Sequence, residues 1–409
     1  MRIVLAPVGT RGDVEPMLAL ADALRARGHD CVLAAPQSFA PSAARASLPF
    51  VSLGEAFAVL ERGERNEFRV VRAFLKTLPE LYDGMQRATE GADVIVGAMM
   101  CLAGPSLARQ RGIPWVYAGF SPHYLRSELM VPGGIPVRSL PRWALRAFNS
   151  VQHLVVPTLL RRWSQTEVRL GFGRPADLFG HMALRGELLL AYDEELLPTP
   201  TDAVGRLNQV GVMRRLDVGG PLEPALERFL DAGAPPVYIG FGSMTHRDPA
   251  RLMREVLDGV KRAGTRAVVN AGWSGLNAPD LPPTVHLVTS APHDLLFPRC
   301  LGVVHHGGAG TLHAAALAGV PQAIVHHWAD QIHHGWRIED LGLGPAPTTI
   351  TRFSTRWLAE TLRRFESDAP MRSRARAFGE KLRLRGGGAT RAAAVVERAV
   401  AEYRGPPSR

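Results

Sequence analysis

A glycine-rich turn with two histidines is the part of the sequence whose residue types are best suited to chemistry. It reads His305-His306-Gly307-Gly308-Ala309-Gly310-Thr311 and stands between an apolar run and a helical pattern. Glycines let a ligand approach the backbone closely, and the free N–H groups at a helix start attract anions. Such a turn taken alone is about as often a simple tight turn, but the histidines and Thr311 add donors for phosphate oxygens. The segment therefore predicts a phosphate-binding site.

A carboxylate and an amide follow the next apolar run. Asp330 and Gln331 stand directly after the predicted strand Val320–His327. A carboxylate only accepts hydrogen bonds, whereas an amide donates and accepts. That combination suits the neighbouring hydroxyl groups of a sugar. The alternative is that Asp330 simply caps the following helix, and the sequence leaves both interpretations open.

Short apolar runs alternate with helical patterns in both halves of the chain, which predicts parallel sheets. In the first half, strands at Arg2–Ala6 and Cys31–Ala35 flank a helix over Pro16–Arg27. The second half has predicted elements at Pro236–Phe241, Pro249–Ala263, Arg266–Ala271, Leu301–His305, Gly310–Ala318 and Val320–His327. The prediction for the C-terminal end is a helix over Pro370–Tyr403.

The predicted fold is α/β, with two doubly wound, Rossmann-like domains that face each other across a cleft. We place the N-terminal domain at 1–205, a linker at 206–221 and the C-terminal domain at 222–385. The final helix, 386–409, is expected to pack back on the N-terminal domain. Ligands of such sheets bind beyond the carboxyl ends of the strands, so the candidate residues belong to the cleft.

The composition is that of a globular protein, with 46% hydrophobic and 21% charged residues among 409. Only three of the 48 basic residues are lysines, and the arginines are dispersed. The net charge of +10 therefore indicates solvated surfaces, not a nucleic-acid partner. Three distant cysteines give neither a disulfide framework nor a zinc motif. No apolar run approaches the ~18 residues of a membrane span, so we expect a cytoplasmic protein with at most a peripheral membrane contact.

The segment from Val288 to Gly344, which contains both candidate motifs, closely resembles the donor-binding region of nucleotide-sugar glycosyltransferases of the macrolide, glycopeptide and sterol type. The N-terminal Gly9-Thr10-Arg11-Gly12-Asp13 and the Phe241-Gly242-Ser243 turn also resemble theirs. The resemblance implies a GT-B architecture and inversion at the anomeric carbon without a bound metal. It also implies a UDP-sugar or dTDP-sugar as donor, with no further cofactor.

The resemblance also assigns the donor contacts. Asp330 and Gln331 would hold the sugar hydroxyls. The pocket for the nucleotide base would be lined by Ser290, Ala291 and His293, although plant relatives have a tryptophan that stacks on the base at the position of Ser290. The positions matched at the diphosphate are His306, Gly307, Gly308, Gly310, Thr311 and Ser243. Trp273 is similar to a tryptophan near the nucleotide in the sterol and antibiotic enzymes, or it fills the core.

A hydroxyl acceptor must lose its proton as it attacks the sugar, which requires a general base. Asp13 is the candidate, because it lies in the first strand–helix loop and matches the aspartate proposed as base in the resembled antibiotic enzymes. The alternative is that Asp13 only caps the helix, whose N-terminus would also make it a weaker base. Thr10 and Arg11 are expected to donate to the leaving phosphate. His306 is expected to be the side chain with most effect on the departure of the diphosphate.

The acceptor is expected to bind in the N-terminal half, where aromatic residues fall in irregular segments. A hydrophobic small molecule would be held there mainly by burial, although most of these rings are core residues on general statistics. The four rings predicted to line the acceptor pocket are Phe57, Phe74, Phe120 and Trp143.

Other functions are less well supported. A dinucleotide-dependent oxidoreductase needs GxGxxG in the first turn, and that turn reads GTRGD. Nine of the fourteen histidines fall between His286 and His334, yet they form no HExxH motif or closed ligand set, so no metal site is predicted. A non-catalytic partner or activator of the same fold remains the main alternative, and an epimerase acting on the nucleotide sugar alone is a further one.

Overall fold

The computed structural model describes residues 1–55, 67–175, 178–183, 186–215, 220–242, 248–271 and 281–405. Three of the predicted site residues, Phe57, Ser243 and Trp273, lie outside these ranges. All statements on the fold and the site below refer to the described residues.

The N-terminal half contains a parallel sheet of seven strands in the order β3-β2-β1-β4-β5-β6-β7. Its strands are β1 Arg2–Ala6, β2 Asp30–Ala35, β3 Phe50–Ser52, β4 Val94–Gly97, β5 Trp115–Gly119, β6 Glu187–Leu190 and β7 Arg206–Gln209. Val4 packs into one core cluster, while its neighbours Ile3 and Leu5 pack into another. Because side chains alternate along a strand, this sheet is buried on both faces.

The C-terminal half contains a second parallel sheet, in the order β10-β9-β8-β11-β12-β13. Its strands are β8 Val237–Gly240, β9 Ala267–Asn270, β10 Val285–Val288, β11 Gly302–His305, β12 Gln322–His326 and β13 Thr348–Thr349. Val303 and Val304 belong to different core clusters, so this sheet is also covered on both faces. Two doubly wound sheets confirm the predicted fold class.

Helices connect the strands in both halves. The N-terminal ones are α1 Arg11–Arg25, α2 Ala40–Arg45, α3 Glu67–Phe74, α4 Leu78–Ala88, α5 Gly104–Arg111, α6 Arg142–Leu159, α7 Arg161–Arg169 and α8 Leu178–Ala183. The C-terminal ones are α9 Pro224–Asp231, α10 Pro249–Ala263, α11 His293–Leu296, α12 Ala309–Ala318, α13 Gln331–Asp340, α14 Thr355–Ser367, α15 Ala369–Arg383 and α16 Gly388–Ala401.

Three elements differ from the sequence-based boundaries. Helix α1 begins at Arg11, more than a turn before the predicted Pro16, because Thr10 provides the N-cap. Strand β7 occupies the first four residues of the segment predicted to be a linker. The helix predicted over Pro370–Tyr403 is divided into α15 and α16, and Gly387, at a φ of +81°, begins the second part. A glycine adopts this left-handed conformation without strain.

The two halves are in direct contact. One apolar cluster runs from the N-terminal sheet through Leu196 and Leu197 to Leu312 of α12. Helix α16 packs on α1, and its Ala392 and Val396 are buried in the N-terminal core. All three cysteines are buried as free thiols, as predicted. No helix in the described part of the chain has the length and apolar composition needed to cross a bilayer.

Candidate active site

The first strand–helix loop, Gly9–Asp13, holds a carboxylate at the carboxyl end of β1; we call it the base loop. The Asp13 Oδ2 atom accepts from the backbone N–H of Thr10 at 2.7 Å and lies 3.3 Å from the Thr10 hydroxyl. The Thr10 hydroxyl in turn accepts from the Gly12 N–H. The two residues thus form a capping box. A Cβ on Gly9 would lie 2.2 Å from Oδ2, so only glycine admits the carboxylate there.

Burial raises the pKa of the Asp13 carboxyl to about 6. The two hydrogen bonds from Thr10 act against this shift, and the negative charge of Asp330 adds to it. The stabilising effect of the helix start, expected from the sequence, is therefore present but outweighed by desolvation. Asp13 takes part in the cap and also has the pKa of a general base that works near neutral pH.

The second loop, His306–Thr311, connects β11 to α12; we call it the donor loop. Gly308 is the N-cap residue of α12, and no side chain in the described ranges bonds to this helix start. The first N–H groups of a helix have no partner within it, so those of α12 are available to a ligand. A Cβ on Gly308 would lie 2.4 Å from His306 Nε2, whereas the space around Gly310 is open. The described part of the donor loop thus leaves its helix start open, which the predicted phosphate site requires.

The twin histidines have different environments. His305 is fully buried; its Nε2 bonds to Gln322 Oε1 at 2.9 Å, and its Nδ1 accepts from the Gly307 N–H at 3.1 Å. Burial lowers the pKa of His305 to about 3 and that of His306 to about 4, so both rings are neutral. The His306 ring lies against Gly242, and its Nδ1 has no partner among the described residues. His305 thus holds the donor loop through the Gly307 N–H, while Nδ1 of His306 has no hydrogen-bond partner among the described residues.

Asp330 is the N-cap residue of α13, but its side chain makes no capping bond within the described ranges. Its Oδ2 lies 3.4 Å from His334 Nε2 instead. The preceding Ala329 has a φ of +57°, which is uncommon for a residue with a side chain. Gln331 is buried, and its Oε1 accepts from the N–H groups of His327 and Trp328 at 2.8 and 3.3 Å. Its side-chain NH2 group is the part that remains for a sugar hydroxyl.

Electrostatic interactions connect the candidate residues of the two halves. The charge of Asp330, on the C-terminal side, acts on both Asp13 and His306. Arg11, an exposed residue beside Asp13, acts electrostatically on His293. Asp13, Asp330 and His306 are therefore electrostatic neighbours, and their roles in proton transfer, sugar binding and phosphate binding stay predictions.

The predicted pocket for the nucleotide base of the donor is built around His293, at the start of α11. Its ring stacks on Phe297 at 4.2 Å between centroids and meets the Tyr238 ring edge-on at 5.6 Å. Burial lowers the pKa of His293 to about 4, and the charge of Arg11 lowers it further. Ser290 is exposed, and Ala291 packs against the neighbouring core. These residues form an edge of the cleft next to the donor loop.

The rings predicted to line an acceptor pocket lie in different environments. Phe74 is 1% exposed and belongs to the N-terminal core, so its placement in the acceptor pocket is wrong in this structure. The apolar side of α3 and α4 buries it. Trp143 is 73% exposed on α6. Phe120 is partly buried directly after β5, and it is the one of the three that follows the carboxyl end of a strand.

Four residues at the contact between the two halves were not singled out from the sequence. The rings of His123 and His333 stack at 4.2 Å. His334 lies 3.3 Å from the Ser121 hydroxyl through Nε2 and 2.7 Å from the Gly307 carbonyl through Nδ1. The available signal was the His333-His334 pair, placed three and four residues after Asp330 on a predicted helix face. In the described ranges, no three His, Cys, Asp or Glu side chains are grouped as a metal ion would require.

The chain is similar to known proteins in both of its halves. Residues 3–130 match the glycosyltransferase family 28 N-terminal domain, and residues 254–385 match the erythromycin biosynthesis protein CIII-like C-terminal domain. The chain is 34% identical to a vancomycin aglycone glucosyltransferase of Amycolatopsis orientalis, over 85% of this chain and 86% of that protein. It is 30% identical to an O-mycaminosyltylonolide 6-deoxyallosyltransferase of Streptomyces fradiae, over 93% of both.

A solved structure of the glycosyltransferase VinC in complex with dTDP has the same fold. Its TM-score is 0.68 at 20% identity, over 98% of this chain and all of VinC. The GT-B architecture expected from the sequence is therefore confirmed. The chain belongs to the family 28 and erythromycin CIII-like GT-B glycosyltransferases, which are related to the macrolide, glycopeptide and sterol enzymes.

Proposed function

We propose that this glycosyltransferase moves a sugar from a UDP-sugar or dTDP-sugar to a hydroxyl group of a hydrophobic small molecule. Transfer occurs with inversion at the anomeric carbon and uses no bound metal ion. The complex of VinC with dTDP supports the donor class, and the vancomycin aglycone and O-mycaminosyltylonolide relatives support the acceptor class.

One observation carries the proposal: the charge of Asp330 acts on both Asp13 and His306. Asp13, whose carboxyl has a pKa of about 6, and the donor loop with its open helix start thus belong to opposite halves of the chain and share Asp330 as a charged neighbour. An inverting transfer needs the base and the leaving group on opposite sides of the sugar. We assign these two tasks to the base loop and the donor loop.

In the proposed reaction the acceptor oxygen attacks the anomeric carbon while the bond from that carbon to the diphosphate oxygen breaks. The proton of the acceptor hydroxyl passes to Asp13. The negative charge that develops on the diphosphate is stabilised by the open N–H groups of α12 and by the neutral His306. Arg11 approaches the diphosphate from the base-loop side. The remaining hydrogen-bond donors to the diphosphate are Thr10, Gly308 and Thr311. These groups perform the charge stabilisation that a divalent ion provides in other transferases.

The rest of the donor is assigned by the same reasoning. Asp330 and the NH2 group of Gln331 bind the sugar hydroxyls. The nucleotide base is bordered by Ser290, Ala291 and His293. Gly307 sets the path of the donor loop at a φ of +89°. Ser243 and Trp273 keep their predicted places at the phosphates and near the nucleotide. Phe120 and Trp143 are our remaining described candidates for contact with the acceptor, with Phe57 as a prediction from the sequence.

The test begins with calorimetric titration of a panel of nucleoside diphosphates into the wild-type protein, followed by an aglycone screen with the best donor. We expect UDP or dTDP to bind, and transfer to persist after exhaustive treatment with EDTA. Nuclear magnetic resonance of the product is expected to show an anomeric configuration opposite to that of the donor. Retention of configuration, or activity restored only by added divalent ions, would overturn the proposal.

A non-catalytic partner or activator gives a different result in the same assay. It would bind the nucleotide but release no nucleoside diphosphate with any acceptor, and it would raise the turnover of another transferase. Measuring nucleoside diphosphate release by this chain alone therefore separates the two functions.

A further inference from the structure

One imidazole, that of His334, stands where three parts of the site meet. The ring is completely buried. Its Nδ1 lies 2.7 Å from the carbonyl oxygen of Gly307 in the donor loop. Its Nε2 lies 3.4 Å from Asp330 Oδ2 and 3.3 Å from the hydroxyl of Ser121. Ser121 follows β5 in the N-terminal half, so the third contact crosses the cleft.

The chemistry of these partners fixes the role of each ring nitrogen. A carbonyl oxygen can only accept a hydrogen bond, so Nδ1 carries a hydrogen and donates to Gly307. The neutral ring then presents a lone pair at Nε2, which accepts the Ser121 hydroxyl. A protonated ring would instead donate from Nε2 to the Asp330 carboxylate. With a lone pair at Nε2 the ring cannot bond to the carboxylate, so Nε2 holds the Asp330 oxygen only when it carries a hydrogen.

The donor loop depends on this ring from one side and on His305 from the other. His305 Nδ1 accepts the Gly307 N–H, while His334 Nδ1 donates to the Gly307 carbonyl. Both backbone polar groups of Gly307 are therefore held by buried histidines. A Cβ at Gly307 would lie 2.8 Å from Ile324 Cγ2, so the backbone there is tightly enclosed. A change at the His334 ring is transmitted directly to the residues around the diphosphate.

We propose that His334 is a positioning residue for sugar transfer, which links the donor loop to the Asp330 carboxylate through the two nitrogens of one ring. Ser121 completes the arrangement only when the two halves of the chain make the contact seen in this structure. The inference rests on the proposed function, because it takes Asp330 as the sugar-binding group. It goes further in assigning separate tasks to Nδ1 and Nε2.

Two substitutions separate these tasks. In His334→Asn the amide nitrogen reaches the place of Nδ1 but nothing reaches that of Nε2, so the Gly307 bond is kept and the Asp330 contact is lost. In His334→Gln the amide reaches the place of Nε2 instead. Ser121→Ala removes only the contact from the opposite half. His181→Asn is the matched control, since His181 also bonds a backbone carbonyl, that of Leu102, away from the cleft.

The readout is the ratio of two dissociation constants, that of the nucleoside diphosphate and that of its glucose conjugate, using whichever of dTDP or UDP binds the wild type. We expect His334→Asn to leave the diphosphate constant within about twofold and to weaken the sugar conjugate and lower kcat by about tenfold. His334→Gln is expected to weaken both ligands. Ser121→Ala is expected to lower kcat by a few-fold with the diphosphate constant unchanged.

A double-mutant cycle tests whether His334 acts through Asp330. If it does, Asp330→Asn combined with His334→Asn weakens the sugar conjugate no more than Asp330→Asn alone. Losses that multiply would overturn the inference, as would equal weakening of both ligands by His334→Asn, which indicates general damage. The His181→Asn control must leave the ratio unchanged. A wild type that binds no nucleoside diphosphate refutes the proposed function and this inference with it, whereas an unaltered ratio in His334→Asn refutes the inference alone.

Discussion

The base loop and the donor loop are both turns from a parallel strand into a helix, but they treat the helix start in opposite ways. In the base loop, Thr10 and Asp13 form a capping box that uses the helix's own donors. In the donor loop, Gly308 leaves the start of α12 without a side-chain cap among the described residues. The first loop holds a carboxylate and has only the Thr10 and Arg11 side chains to offer an anion, whereas the second has an open helix start. The same local fold thus provides a base or an anion site, depending on whether a side chain closes the helix start.

The protonation states of the titratable side chains also differ between the two loops. Around the donor loop His305, His306 and His293 are kept neutral, because burial lowers their pKa values to about 3 or 4. In the base loop, burial raises the pKa of Asp13 to about 6. Desolvation favours the neutral form in both cases. At neutral pH it yields uncharged hydrogen-bonding groups on one side of the cleft and a carboxylate with appreciable basicity on the other.

The largest expected effect follows from removing the base. Asp13→Asn keeps the shape of the side chain but cannot take the acceptor proton, so we expect kcat to fall by about 10³-fold, within the usual range for a general base. In the wild type, kcat/KM is expected to decline below pH ~6, where Asp13 becomes protonated. The measurement is initial-rate kinetics from pH 5 to 9.

Asp22→Asn, a substitution on the same helix away from the loop, serves as the control for Asp13→Asn. Wild-type turnover by Asp13→Asn, with hydrolysis of the donor excluded, would show that Asp13 has only its capping role.

The next largest effect is expected at the donor loop, whose helix start is open. His306→Ala removes a neutral donor next to the α12 start, and we expect the dissociation constant of the nucleoside diphosphate to rise by ten- to a hundredfold, about 1.4 to 2.7 kcal/mol. Titration calorimetry measures it directly. His286→Ala, in the same sheet but stacked on Phe229, is expected to bind like the wild type. Equal affinities for His306→Ala and the wild type would place the diphosphate elsewhere.

Acid should destabilise the protein through its buried histidines. Folded His305, His306 and His293 have pKa values below the unfolded value of 6.5, so the unfolded chain binds more protons between pH 6.5 and about 4. Each such group costs about 1.4 kcal/mol per pH unit across that window. Asp13 has the opposite sign, because its folded pKa is raised, and its contribution is lost as the pH rises through 6. We expect Tm to fall steadily from pH 7 to pH 5; a constant Tm in calorimetric scans would contradict the account.

The smallest effect comes from opening the base loop. Thr10→Ala removes the capping hydroxyl, and we expect a loss of about 1 kcal/mol in the free energy of unfolding. It also removes one hydrogen bond that lowers the pKa of Asp13, so the acid limb of kcat/KM should move to higher pH. Thr10→Ser, which keeps the hydroxyl, should restore both values. A limb that moves to lower pH would show that this bond does not stabilise the carboxylate.

Much of this arrangement was predictable from local patterns. The strand Arg2–Ala6 and the helix Pro249–Ala263 have the predicted boundaries, because apolar periodicity and the flanking residues mark them clearly. The donor loop was identifiable because its glycines, histidines and threonine are contiguous. The start of α1 was misplaced, since Pro16 was taken as the first helical position although a capping box precedes it.

Long-range contacts account for the rest. The capping alternative for Asp330 could not be decided from sequence, because the sequence offers both a helix start at Asp330 and a partner four residues later, His334, without deciding between them. Ser121 is 213 residues away from His334 along the chain, and nothing in either segment indicates the pairing. Phe74 was misassigned because an aromatic residue in an irregular segment has the same local pattern whether it lines a pocket or fills a core.

The division of labour between the two loops is tested most directly by titrating dTDP and UDP into Asp13→Asn and His306→Ala side by side. The account predicts that Asp13→Asn binds the preferred nucleotide as tightly as the wild type, while His306→Ala binds it at least about tenfold more weakly. Weakened binding by Asp13→Asn together with unchanged binding by His306→Ala would reverse the two roles and contradict the account.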